Sequence, residues 1–443
     1  MKKINSSIII LFSLLLWSSG NLSAQENNTG LSLKQAIVID SIGSILQSNY
    51  VFPDVADKMV SKMKNSLKNG LYKSIKDPRK LADKLTEDLR SISHDKHLRV
   101  IYDPARVEAR KAVRTAQDSI EFMERRVNRM KRENFGFKEA KILDGNIGYL
   151  NLKAFMDPQY AGETAVATMN FLSNTDALII DLRQNGGGSP KMIQLITSYL
   201  YGPDPVHLNN FYWRPTDTHT QTWTLPHVSG KRNPDVPVYV LTSDYTFSAA
   251  EEFSYNLKNL KRATLIGETT GGGAHPGGVV NALEGFMVWV PSGRAINPVT
   301  NSNWEGTGVT PHIKVSSDQA LQLAQIKALE HLSEKAKDPE AKFAYDWSLK
   351  AQKAMMEPVN VEQSILRSYT GKYGERQLSF ENGKLYYKRG SGKKHKLTPL
   401  SQNEFMVEGI PYFRLRFLSE DKQVVAVEGL YDNGRKDKDQ KIK

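Results

Sequence analysis

Between residues 137 and 318, short continuously apolar runs alternate with stretches whose apolar residues recur every three or four positions. That alternation restricts the possible folds more than any other feature. DALIIDL (176–182) is a short, continuously apolar strand, and VPVYVL (236–241) and ATLIGE (263–268) read as two more strands. Residues 160–174, SPKMIQLITSYLYG (189–202) and AAEEFSYNLKNLK (249–261) have helical spacing between them. AKILDGNIGYLNL (140–152) reads as a strand pair turning at Asp144–Gly145. The expected fold is an α/β (α+β) core over 137–318, with a partly parallel β-sheet covered by helices.

The flanks follow other periods. Residues 30–98 carry three helical patterns, the third starting at Asp77–Pro78, and are expected to form an N-terminal helical unit. Residues 99–136 open with an extended segment and continue as a charged helical arm. Its opposite charges are interspersed and no aromatic platform accompanies them, which argues against a nucleic-acid surface. Residues 319–356 read as a helical connector. From 366 to 434 the period changes to two, with turns at Asn382–Gly383 and Asp432–Gly434, as expected of a small C-terminal antiparallel β domain. Residues 435–443 read as a frayed basic tail. At the other end, Lys2 and Lys3 precede an apolar run from Ile8 to Trp17 and a small-residue exit at Ser23–Ala24. Residues 1–24 are therefore expected to be a cleaved export signal, leaving a periplasmic or extracellular chain with no stable membrane span.

Composition excludes several chemistries. With no cysteine among 443 residues there is no disulfide, thiolate nucleophile, iron–sulfur cluster or cysteine zinc site. A balance of 60 Lys+Arg against 48 Asp+Glu gives a net charge of +12, which favours acidic partners without naming one. The phosphate-loop lysine, the dinucleotide G-x-G-x-x-G with its acidic partner and H-E-x-x-H are all missing, and the histidines are scattered. No cofactor or catalytic metal is expected.

Ser248 follows the strand VPVYVL and directly precedes an amphipathic helix. A strand–turn–helix junction lifts a hydroxyl out of a sheet and points helix amides at it, although such a serine also serves as an ordinary helix cap. A serine nucleophile needs a base, and His94, His97 and His275 are candidates. The base needs an acid behind it, for which Glu305 and Glu268 are both suitable and spacing does not choose. Asp244 and Glu251 lie close to Ser248 in sequence, and solvation or capping explains them. Gly186–Gly188, after the strand DALIIDL, allow backbone amides to approach an oxyanion. The aromatics Phe211, Tyr212, Trp213 and Trp223 fit a cleft wall or ordinary sheet packing.

In order along the chain, SISHDKHLRV, GNIGYLNL, ALIIDLRQNGGG, VLTSDYTFSAAEEF, LIGETTGGG and NWEGTGVTPHI resemble the tail-specific, or carboxyl-terminal processing, serine peptidases. The branch containing tricorn core domains and interphotoreceptor retinoid-binding protein modules is the most similar. The resemblance covers residues 30–318 and implies Ser248 as nucleophile, His97 as base and Glu305 as acid, with Glu268 in reserve. It implies an oxyanion hole from Gly187 or Gly188 together with Ala249. Lys96 replaces the usual glycine before the histidine, and Gly273 stands where Ser–Lys members carry their lysine. Two S-x-x-K matches, Ser61 with Lys64 and Ser391 with Lys394, lie in ordinary charged stretches. No strand-dense PDZ-like insert separates His97 from Gly145.

The expected function is that of an exported serine endopeptidase acting on protein or peptide substrates through an acyl-enzyme. A hydrophobic-ligand or peptide-binding module on the same fold is the alternative from another class, and an exported esterase is the narrower enzymatic rival.

Overall fold

The computed structural model describes residues 34–112 and 115–442. The expected export signal, residues 1–24, lies outside them. Among the described residues no helix is long and apolar enough to cross a membrane.

Three helices open the fold: α1 (34–49), α2 (Pro53–Lys68) and α3 (Pro78–Ser93). Their buried positions follow one helical face each: Val38, Ile39, Ile42 and Leu46; Ala56, Met59, Val60 and Met63; Leu81, Leu85 and Leu89. Asp77 caps α3 by accepting the Arg79 amide at 2.8 Å, with Pro78 in the first turn. The helix ends on His94 in the left-handed conformation, φ 56°. The chain then turns into β1 (Arg99–Tyr102), so His97 lies on a tight helix-to-strand connection.

The arm expected at 99–136 is only partly an arm. β1 is a sheet strand, and α4 (Pro104–Lys111) is tied back through Arg110, which donates to Asn281 and to the Val279 carbonyl, both at 2.9 Å. Only α5 (Ala116–Arg132) keeps the expected solvated character, with Met130 its buried residue.

The next elements are β2 (Phe137–Leu143), β3 (Ile147–Leu152), α6 (Pro158–Phe171), β4 (Ala177–Asp181), α7 (Pro190–Ser198), β5 (His207–Trp213), β6 (Thr218–Trp223), β7 (Val238–Thr242), α8 (Ala249–Asn259) and β8 (Ala263–Gly267). After these come β9 (Gly277–Asn281), β10 (Phe286–Pro291), β11 (Gly293–Ile296), β12 (Ile313–Lys314), α9 (Ala320–Lys335) and α10 (Pro339–Met356). The main sheet has strand order β12-β8-β7-β4-β3-β2, parallel throughout except for the β2–β3 hairpin at its edge. β5 pairs with β6 and β11 in a separate antiparallel ribbon, and β10 lies between β1 and β9.

Period two along the central strands sorts their residues between two cores. Leu150, Leu178, Ile180, Val238, Val240 and Leu265 face α6, α7 and α8. Ile147, Tyr149, Ile179, Tyr239, Leu241 and Ile266 face Ala320, Ala324, Ala328 and Leu329 of α9. The segment expected as a connector at 319–356 is thus the second covering layer of the sheet. The N-terminal helices form their own core with Leu98, Val100, Phe286, Val288 and Val290. The site therefore sits where two cores meet.

Eight strands, β13 to β20, run from Gly371 to Gln440, each antiparallel to the next in chain order. Tyr373 at the end of β13 (Gly371–Tyr373) bridges to Lys441 just beyond β20 (Lys436–Gln440), bringing the first and last strands together as a barrel-like closure. The expected frayed tail is instead the closing strand. Arg376, 1% exposed on β14 (Arg376–Glu381), pairs with Asp437 and, at 2.7 Å, with Asp439. The barrel leans on α10, where the Arg414 guanidinium lies 3.6 Å over the Trp347 ring.

Candidate active site

The turn 243–247 is held against neighbouring loops before it reaches Ser248. Thr246 donates from its hydroxyl to the Leu182 carbonyl at 2.9 Å, and the Phe247 amide donates to the Asn185 carbonyl at 3.1 Å. Ser248 then takes φ 56° and ψ −122°, a conformation that a side-chain-bearing residue rarely adopts, at the N-cap of α8. Its amide donates to Glu251 Oε2 at 2.8 Å. The fully buried Glu251 carboxylate also accepts the Gly272 amide at 2.6 Å, the Gly273 amide at 2.8 Å and the Thr270 hydroxyl. Burial pushes the Glu251 carboxyl up, and these donors oppose that shift. One carboxylate thereby ties the serine turn to the 270–273 loop.

The glycine loop lies against the same serine. A Cβ on Gly187 (φ 108°) would stand 2.8 Å from Ser248 Cβ and 3.0 Å from the Ala249 nitrogen, so only glycine permits this approach. One on Gly188 (φ 145°) would stand 2.1 Å from the Phe155 carbonyl oxygen. The Gly187 amide is committed to Asn185 Oδ1 at 2.8 Å. Gly188 and Ala249 line a cavity of about 60 Å³ with Ser248, Pro190, Phe211, Glu252 and Trp304. Burial raises the Glu252 carboxyl to about 7, with Asn209 and Asn256 opposing.

His97 enters from the N-terminal unit. Its ring stacks on Trp289 of β10 at 5.0 Å and tilts against Phe247 at 4.6 Å, placing it beside the serine turn. Burial pulls the imidazole down to about 4, and Asp95 opposes that shift. Asp95 Oδ1 accepts the His97 backbone amide at 2.9 Å and lies 3.9 Å from Nδ1 of the ring. Asp95 Oδ2 meets His275 Nδ1 at 2.8 Å, and Glu305 Oε2 lies 3.4 Å from that same nitrogen while accepting the Ala274 amide. Burial first and Asp95 second push the Glu305 carboxyl up. Tyr50 adds a hydroxyl to this cluster through Asp95, and burial raises its phenol. One ligand atom each from Asp95, His275 and Glu305 lies within 4.8 Å of the others, so these residues have the spacing to hold a metal ion.

The sequence candidates thus fall into two groups. Ser248, Gly188, Ala249 and Phe211 surround one small space, with Gly187 against Ser248 and His97 against the adjoining turn. Glu305 contacts His275, whereas the carboxylate beside His97 Nδ1 belongs to Asp95. Glu268, the reserve acid, accepts the Ser317 amide at 3.0 Å near Arg183. Tyr212 and Trp213 lie on β5, where Arg294 packs over the Tyr212 ring and Trp213 packs against Phe211. Trp223 stacks on His207 at 4.2 Å. Of the four aromatics named from sequence, Phe211 is the one that lines the Ser248 cavity. Lys96 donates to the Gly271 carbonyl at 2.6 Å, joining the histidine turn to the glycine-rich loop.

Sequence reasoning does not single out two carboxylates, Asp95 and Glu252. Asp95 lies in a histidine-rich turn that draws attention to its imidazoles, whereas Glu251 does cap α8 as one of its two expected roles, from a buried position and not a solvated one. Glu252 shares an i, i+4 line with Ser248 and Asn256, and its buried carboxyl is met by Asn256 and by Asn209 of β5.

Residues 146–315 match the family model described as peptidase family S41, and residues 26–132 match that of its N-terminal domain in eukaryotic IRBP. Among solved structures, the chain is similar to a putative peptidase from Parabacteroides merdae, with 18% identity and a TM-score of 0.47 over 67% of this chain and 96% of that one. It is also similar to a putative S41 protease from Bacteroides fragilis, with 20% identity and a TM-score of 0.38 over 50% of this chain and 58% of that one. A photosystem II D1 C-terminal processing protease shares 22% identity, with a TM-score of 0.32, over 39% of this chain and 43% of its own length. The family assignment rests on the two family models.

Proposed function

The chain belongs to peptidase family S41, and on that premise we propose that it is an exported serine endopeptidase cleaving peptide bonds through an acyl-enzyme. Ser248 attacks the scissile carbonyl while His97 takes the hydroxyl proton and then passes it to the leaving amine. Gly188 and Ala249 amides receive the developing oxyanion; the Gly187 amide is already committed to Asn185. Asp95, 3.9 Å from His97 Nδ1, supplies the negative charge that stabilises the imidazolium, and Glu305, the acid the family resemblance implies, acts one step behind it through His275. Water then releases the acyl group through the same histidine.

The observation that carries this reading is the φ of 56° at Ser248, together with the approach of Gly187 that no other residue could make. Backbone strain of this kind costs about 1–3 kcal/mol and persists where the surroundings over-determine it. An ordinary helix cap needs no such conformation. The cavity of about 60 Å³ beside Ser248 suits a small side chain next to the cleaved bond.

The test compares mature wild type with Ser248→Ala on a mixture of unfolded proteins and peptides, reading new termini by mass spectrometry. Cleavage by wild type alone is expected, with small residues preceding the cuts. Equal backgrounds from both proteins would overturn the assignment and direct attention to ligand capture. Cleavage of esters but not peptides would narrow the chemistry to ester hydrolysis.

A further inference from the structure

The Asp95–His275–Glu305 cluster has more acceptor capacity than the peptidase reading uses. Two carboxylate oxygens converge on one imidazole nitrogen, His275 Nδ1, at 2.8 and 3.4 Å, and a single N–H cannot serve both well. Glu305 Oε1 is buried without a hydrogen-bond partner. So is His97 Nδ1, on a side chain that is nine-tenths buried and whose Nδ1 lies 3.9 Å from Asp95 Oδ1. Nearby cations are spent elsewhere: Arg90 donates to the Leu98 carbonyl at 2.8 Å, and Lys96 to the Gly271 carbonyl at 2.6 Å. The cluster therefore presents one imidazole nitrogen and two carboxylates within 4.8 Å of one another, with the unpartnered His97 Nδ1 at its edge.

We propose that Asp95, His97, His275 and Glu305 form a Zn²⁺ site, and that the metal-bound chain is catalytically silent. Two nitrogens and two carboxylate oxygens suit zinc, whereas calcium takes six to eight oxygens and magnesium an octahedral shell of oxygens. In a tetrahedral site with bonds of about 2.0–2.2 Å, neighbouring ligand atoms stand roughly 3.3–3.6 Å apart. The separations of 2.8 and 3.4 Å about His275 Nδ1 lie close to that value, and the ligand atoms of Asp95, His275 and Glu305 stand within 4.8 Å of one another; His97 Nδ1, 3.9 Å from the other Asp95 oxygen, is the fourth ligand and must swing inward to complete the shell. Outer contacts already orient the ligands: the His97 amide on Asp95 at 2.9 Å and the Ala274 amide on Glu305. Coordination of His97 Nδ1 places a dication behind the ring. The imidazole then loses its acidic partner and its capacity to accept the Ser248 proton. That consequence rests on the reading of His97 as the base; the metal site does not.

The experiment uses the metal-free Ser248→Ala chain, titrated calorimetrically with ZnSO4, with Co²⁺ as a visible-absorption probe of tetrahedral coordination. One site per chain is expected, weakened about tenfold or more by Asp95→Asn and by His275→Gln, and unchanged by His227→Gln at an exposed histidine. Where Asp95→Asn fails to fold, Glu305→Gln and His275→Gln read the same ligands. No saturable binding, or binding indifferent to these variants, would overturn the site. Wild type turning over at full rate when zinc-saturated would overturn its silencing role. One zinc per Ser248→Ala chain alongside a wild type without any cleavage would uphold the site and remove the peptidase reading.

Discussion

Glu252 offers a stability measurement whose sign and size follow from its burial beside Ser248. The carboxyl is 4% exposed on α8, and burial raises it from an ordinary value of 4.5 to about 7. Below the lower value, folded and unfolded chains both hold the proton and ionisation costs nothing. Between the two values the unfolded chain releases it and the folded chain does not, so the folded state loses stability as pH rises. A shift of roughly 2.5 units at 1.36 kcal/mol per unit amounts to about 3 kcal/mol, fully expressed once pH has passed the folded value. Glu252→Gln keeps the volume and removes the ionisation. In a Ser248→Ala background, which removes self-cleavage, urea unfolding of the Glu and Gln forms is compared from about pH 4.5 to about pH 8. All other titrating groups are common to both chains and cancel. The Gln form should gain about 3 kcal/mol relative to Glu across that range. A difference that stays flat with pH would show that Glu252 ionises as easily folded as unfolded, and would refute the burial argument.

Three further outcomes are expected. Gly187→Ala drives a methyl to 2.8 Å from Ser248 Cβ at a φ of 108°, so cleavage of a peptide substrate should fall at least about a hundredfold, while circular dichroism shows the fold retained. Glu251→Gln leaves a single acceptor oxygen among the Ser248, Gly272 and Gly273 amides, and denaturant unfolding should record a loss of about 2–5 kcal/mol from the orphaned donors. Arg376→Met strands Asp437 and Asp439, which are 39% and 35% exposed and so keep partial solvation. Hydrogen exchange should then show faster opening of the barrel, worth about 2 kcal/mol, with the α/β core unchanged.

The central strands were readable because residues such as Leu178 to Ile180 are buried on both faces, and continuous apolar runs record exactly that condition of double burial. α9 was readable as a helix, but its role was not. Ala320, Ala324 and Ala328 mark a close-packed face without naming the sheet it covers. β20 escaped notice because KDKDQ has no apolar alternation; its inward positions are Asp437 and Asp439, matched by Arg376 sixty residues earlier. Ser248 and the glycine loop were legible through local junctions. The carboxylates around His97 were not, since Asp95, His275 and Glu305 converge only in three dimensions.

The meeting of two cores at the site has a consequence for how the chain comes into being. Ala249 and Phe253 anchor the serine helix in one core, while Leu98 and Val100 anchor the histidine turn in the other. Neither core carries both halves of the proposed proton transfer. On that proposal, a chain with only one of them folded holds a hydroxyl without a base or an imidazole without a hydroxyl, and is inert toward its own unfolded remainder. On the proposed reading, docking of the two cores is therefore the act that arms the molecule, and Phe247 against the His97 ring marks where the halves touch.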